Sequence, residues 1–171
     1  MSTKNQTSVA YFRSLQTIFN GAAFTQIFFS IIAIAIHFNK QIDFGAFHPN
    51  EFLSYLVPGA IVGGVIASYL THQHRLKTIH GKDNLIDKLS AYRSALIIRY
   101  ALLEGPALFA LAAFWVSGNF MFFGFALLNL TVFLVCMPSK RRAIYELQLN
   151  DDEMTAINNP SMVVAEIRSH E

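Results

Sequence analysis

Apolar residues run along this chain in four long blocks, without the strict alternation of half-buried strands. The blocks extend from about Leu15 to Phe38, Phe52 to Leu70, Ala95 to Val116 and Phe120 to Met137. A helix rises about 1.5 Å per residue, so about 20 apolar residues cross the hydrocarbon core of a bilayer. Each block therefore predicts a membrane span. Ser117-Gly118-Asn119 is a turn signal between the third and fourth, short enough only for an antiparallel hairpin. Asn39 to Glu51 reads as a polar loop closed by His48-Pro49-Asn50, Thr71 to Ser94 as a longer basic loop, and Pro138 as the stop of the last span. The pattern predicts an all-α integral membrane protein. Four antiparallel transmembrane helices occupy residues 15–137, between an N-terminal arm over 1–14 and a tail over 138–171.

Charge gives the spans an orientation. Lys4 and Arg13 lie in the arm, Arg75, Lys77, Lys82, Lys88 and Arg93 in the second loop, and Lys140, Arg141, Arg142 and Arg168 in the tail. Lys40 alone falls on the other side, and Arg99 falls inside a span. Positive residues stay on the cytoplasmic side, so both termini are expected there, with the bacterial inner membrane as the location. Phe44, Phe47, Phe52, Tyr55, Trp115 and Phe120 mark the outer boundary, and Tyr11, Tyr69, Tyr92 and Tyr145 the inner one, where amphipathic rings are favoured. A cleavable leader is the competing reading of the first block, since Ala33-Ile34-Ala35 has the small-x-small form of a cleavage site. The apolar run continues past it through Ile36 and Phe38, which favours a retained span.

Composition agrees: 53% of the 171 residues are hydrophobic and 14% charged, against about 25% charged in soluble domains. The single cysteine, Cys136, excludes an intramolecular disulfide and a multi-cysteine zinc site. The basic clusters follow topology and call for no nucleic acid. No nucleophile–base set or phosphate loop is visible, so no catalytic residue, metal or cofactor is expected. The expected partners are anionic lipid headgroups and either a second copy or another membrane protein.

The candidate chemistry lies within the spans. Gln26, Glu104 and Asn129 fall near the middle of the first, third and fourth. An unsatisfied polar group in hydrocarbon costs several kcal/mol, so the three are expected to face inward as one polar layer. The amides are better explained as helix–helix glue. Glu104 is costlier to bury than an amide, and a functional and a structural role stay open for it. Arg99 is about 140° around the helix from Glu104 and reads as an inner-boundary anchor that snorkels to headgroups. Gly105 and Pro106 predict a kink, because proline lacks the N–H that the Leu102 carbonyl would accept. The second span carries two rows of small residues, Gly59, Gly63, Ala67 and Ala60, Gly64, Ser68, both expected to pack helices closely.

The run Ala101-Leu-Leu-Glu104-Gly-Pro-Ala-Leu-Phe109-Ala-Leu111 resembles the carboxylate helix of rotary ATPase proteolipid subunits. That resemblance implies an ion-carrying role for Glu104 and a glycine-rich partner helix before it. The chain departs from the family in its long loop, in its lack of an alternating glycine series, and in its two further spans and charged tail. As a whole it resembles a small four-span bacterial membrane protein of no assigned function.

Outside the spans, His72, His74, His80 and Asp83 read as solvated groups of a flexible loop rather than a metal site. His37 and His48 read as outer-side groups able to respond to pH. Asp83 or Asn84 is expected to cap a helix from Leu85, with Leu85, Ile86 and Leu89 laid on headgroups before the chain turns into the third span. In the tail, Ser139 to Leu149 predicts a short helix, and Asn150 caps a second that Asn158-Asn159-Pro160 ends. Docking on the chain's own basic loop and docking on a partner both stay open for the tail; beyond Ser161 it is expected to be mobile. The expected function is a non-enzymatic membrane subunit or assembly factor; the alternative is a proton- or ion-linked transporter or channel component using Glu104.

Overall fold

The structure, a computed structural model, describes residues 2–39 and 51–169. Lys40, Phe44, Phe47 and the His48-Pro49-Asn50 turn lie outside the described residues. Among the described residues, the regular structure is helical apart from one two-stranded ribbon. Its elements are β1 (Ser2–Thr7), α1 (Ser8–Asn39), α2 (Glu51–His80), α3 (Leu85–Ser117), α4 (Phe120–Val135), α5 (Lys140–Leu147), α6 (Asp151–Asn158) and β2 (Val163–Ser169). α1, α2 and α3 are each long and apolar enough to cross a membrane. α4 has 16 residues, about 24 Å of helix, and meets that test only when taken together with α5. The fold therefore offers three to four spans.

Two compact units divide the chain. One comprises Asn20–Tyr69 and Arg99–Cys136. Its core joins Ala33 of α1, Val57 and Ile61 of α2, Ala110, Leu111 and Phe114 of α3, and Phe122 and Ala126 of α4. In their most apolar windows, α3 is 44% buried but α1 and α2 only 17% each. α3 is thus the central helix, while Phe24, Ile31, Phe38 and Val62 point outward. Large apolar surface of this kind is unfavourable in water and suits hydrocarbon. The Ser117-Gly118-Asn119 turn has the expected hairpin form. Gly118 takes φ +66°, a region that favours glycine, and the Asn119 side chain caps α4 by accepting from the Met121 N–H at 2.9 Å.

The other unit comprises Met1–Phe19, Leu70–Ile98 and Met137–Glu171. Here the structure corrects the sequence reading. The segment 71–94 is not a flexible loop: α2 continues to His80, a tight turn follows, and α3 begins at Leu85. His72, Leu76 and Ile79 form one buried stripe on α2, and Leu89, Tyr92 and Leu96 another on α3. The polar residues between them are the wet faces of helices, a pattern of amphipathic helix rather than loop. Asn84 caps α3 as expected, accepting from the Ile86 N–H at 3.0 Å. Leu89, however, is buried, and its carbonyl accepts from the Tyr11 hydroxyl at 2.6 Å. It is core, not a headgroup contact, and α3 runs unbroken into its apolar part.

The tail helices form where their caps stand. Ser139 accepts from the Arg142 N–H at 3.2 Å. Asn150 and Glu153 make a reciprocal capping box, at 2.8 and 3.0 Å. The stretch after Ser161 is a strand rather than a mobile end: β2 pairs antiparallel with β1, from Ser2 opposite Ser169 to Gln6 opposite Ala165. Neither strand has a strong apolar alternation of its own. Their pairing, with Val164 and Ala165 buried, supplies order that neither segment has alone.

Candidate functional site

The three residues expected to form a polar layer do not bond to one another. Gln26 on α1 is fully buried, and neither atom of its amide has a hydrogen-bond partner. Asn129 on α4 is also fully buried and donates Nδ2–H to the Leu103 carbonyl at 2.8 Å, leaving its Oδ1 without a partner. Glu104 is partly buried, and its carboxyl makes no hydrogen bond or ion pair among the described residues.

The Gly105-Pro106 step lies within α3, which continues to Ser117. Proline removes the donor to the Leu102 carbonyl and crowds the turn before it. Asn129 donates to the adjacent Leu103 carbonyl, one residue beyond the carbonyl that the proline deprives of its donor. On the other side, Gly64 of α2 lets the proline ring close in. A Cβ at Gly64 would stand 2.5 Å from Pro106 Cγ and 3.0 Å from the Leu102 carbonyl oxygen. The Pro106 turn of α3 is packed against α2 there.

This contact separates the two small-residue rows. Ala60 and Gly64 are partly buried and Ser68 is buried. Gly59 and Gly63 are exposed, and nothing lies within 4 Å of where a Cβ would stand on either. Of the two rows expected to pack helices, the Gly64 row meets α3, whereas Gly59 and Gly63 meet no neighbour among the described residues and Ala67, which ends their row, is partly buried. Gly105 is likewise open. Arg99 is partly buried, with Nε out of solvent and without a partner.

The densest polar cluster is one the sequence reading missed, and it lies in the other unit. Glu146 of α5 accepts from Tyr92 Oη at 2.8 Å, His72 Nε2 at 3.1 Å and Arg142 Nε at 2.8 Å. Its backbone carbonyl accepts from His80 Nε2 at 2.9 Å. Burial alone would push this carboxyl up, but the bonds from His72, Arg142 and Tyr92 outweigh it and hold the carboxyl down at about 2. Lys88 and Glu153 form a second pair at 2.7 Å, joining α3 to α6. The Arg142–Glu146 spacing of four was readable on a helix; the contacts to α2 and α3 were not. The tail therefore docks on the chain's own helices. His72 is committed to Glu146 and stands on a helix, not in a loop. The cluster ties α5 to α2 and α3.

No protein-family model, curated protein or solved structure matched this chain. Its class rests on its own geometry, in which three to four helices long and apolar enough to cross a bilayer turn much of their apolar surface outward. It is a helical membrane protein.

Proposed function

We propose that this protein is a non-enzymatic membrane subunit or assembly factor. The observation that carries the reading is the open Gly59–Gly63 face beside the occupied Gly64 row. Small residues facing lipid gain little packing, whereas facing another helix they allow close backbone approach. The fitting occupant is a transmembrane helix of a second copy or of another membrane protein. The experiment is native gel electrophoresis of the full chain extracted in mild detergent, comparing Gly63→Leu with the parent. Loss of the larger assembly with the helical content unchanged supports the reading; unchanged migration counts against it.

A second reading is ion- or proton-linked transport. It is favoured by Glu104 without a bonding partner and by Gln26, whose amide is buried and unpaired. Proton flux in liposomes that Glu104→Gln abolishes would establish it, and flux that ignores the substitution would end it.

The proposed location is the bacterial inner membrane with both termini cytoplasmic. The three segments that carry eleven of the thirteen Lys and Arg residues are the segments gathered in one unit, and the terminal strands pair with each other. Labelling Ser139→Cys, in a chain with Cys136→Ser, checks this: an impermeant thiol reagent reaches it only after the cytoplasmic side is opened. Labelling in intact cells would invert the orientation.

A further inference from the structure

A cleft of about 750 Å³ between α2 and α3 is edged by His74, Arg75 and Lys82, with Thr71 and Ser94 beside them and Ile79 on its wall. No Asp or Glu is among the described residues that line it. None of its three basic side chains takes part in an ion pair among the described residues, although Lys88 and Arg142 in the same unit each hold a carboxylate. Lone exposed cations are ordinary on a wet helix face. A concave set with no carboxylate among its described lining residues, a hydroxyl at Thr71 and an apolar wall has the makings of an anion site. A guanidinium and an ammonium together match the oxygens of a phosphate, the first by a two-pronged fork and the second as a point charge.

The position of the cleft narrows the ligand. Leu70, the last residue of the second apolar block, also lines it, so the wall opens toward the apolar run of α2. A small soluble anion makes no use of such a wall. A phospholipid would set its phosphate against Arg75 and Lys82 and its upper acyl carbons against Leu70. We propose that this cleft binds the phosphate of an anionic phospholipid. The lipid source rests on the orientation proposed above, which puts Leu70 at the cytoplasmic surface. The lining itself is independent of that orientation.

Native mass spectrometry of the detergent-purified full chain tests the site, titrated with dioleoylphosphatidylglycerol, dioleoylphosphatidylcholine or inorganic pyrophosphate. Phosphatidylglycerol should bind at least about tenfold more tightly than phosphatidylcholine. Each cation near a headgroup contributes about fivefold, so Arg75→Gln with Lys82→Gln should weaken phosphatidylglycerol roughly thirtyfold. Arg75→Lys, which keeps the charge but not the fork, should bind between the parent and Arg75→Gln. Arg141→Gln, an exposed charge outside the cleft, should change nothing. The site is overturned if the double substitution binds like the parent while remaining helical, or if Arg141→Gln costs as much. Pyrophosphate displacing phosphatidylglycerol through the same two residues would keep the anion site and overturn its lipid source. The Ser139→Cys labelling tests the orientation separately, so the two failures are distinguishable.

Discussion

Gly64 and Gly63 are neighbours in sequence with opposite tolerance for a side chain. At Gly64 a methyl group meets the Pro106 ring and the Leu102 carbonyl oxygen, neither of which is the free end of a flexible chain. Overpacking of that kind costs about 1–3 kcal/mol. Gly64→Ala should therefore lower the thermal midpoint of the detergent-solubilised protein, while Gly63→Ala leaves the isolated chain unchanged. Glu146 carries a different dependence. Its carboxyl titrates at about 2 when folded against 4.5 for the free group. A folded value below the unfolded one makes the unfolded state bind more protons in that window. The stabilisation is complete above about 4.5 and is lost as pH falls toward about 2. Glu146→Gln should remove this acid-side slope from a pH series of unfolding midpoints. At neutral pH it should cost roughly 1.5–3 kcal/mol, the scale of a charged hydrogen bond.

At the scale of elements, helix ends follow local chemistry. Asn84, Asn119, Ser139 and Asn150 each accept from the backbone N–H two or three residues on, satisfying donors that a helix start leaves orphaned. All four helix starts were legible at or within a residue of these positions, because a cap needs only its own next turn. Asn150→Ala should cost about 1 kcal/mol and raise amide hydrogen exchange in α6 ahead of the rest of the chain. The loop expected over 71–94 and the mobile end expected after 161 were misread for a shared reason. In α2 and α3 the buried stripes are narrow among many charged residues, and in β2 the order comes from pairing with β1. In each case the partner that makes the element stable lies far away in sequence.

At the scale of the molecule, outward apolar surface and buried polar locks belong to different units. Phe24, Ile31, Phe38 and Val62 are exposed in one, whereas the Glu146 and Lys88–Glu153 pairs tie elements of the other. A protein with that surface should stay in the membrane pellet through alkaline carbonate extraction and leave it only with detergent; release by carbonate would contradict the membrane assignment. The apolar blocks, caps and hairpin turn were all determined by the sequence itself. Each depends on residues a few positions apart or on net composition. Tertiary structure alone decided that Gly64 meets α3, that Gln26, Glu104 and Asn129 make no bond to one another, and that Glu146 gathers Tyr92, His72 and Arg142. The Glu146 cluster depends on pairs such as His72–Glu146, separated by 74 residues, and the midspan arrangement on pairs such as Leu103–Asn129, separated by 26. No local pattern marks such pairs, and only the packing of helices in space brings their atoms within hydrogen-bond distance.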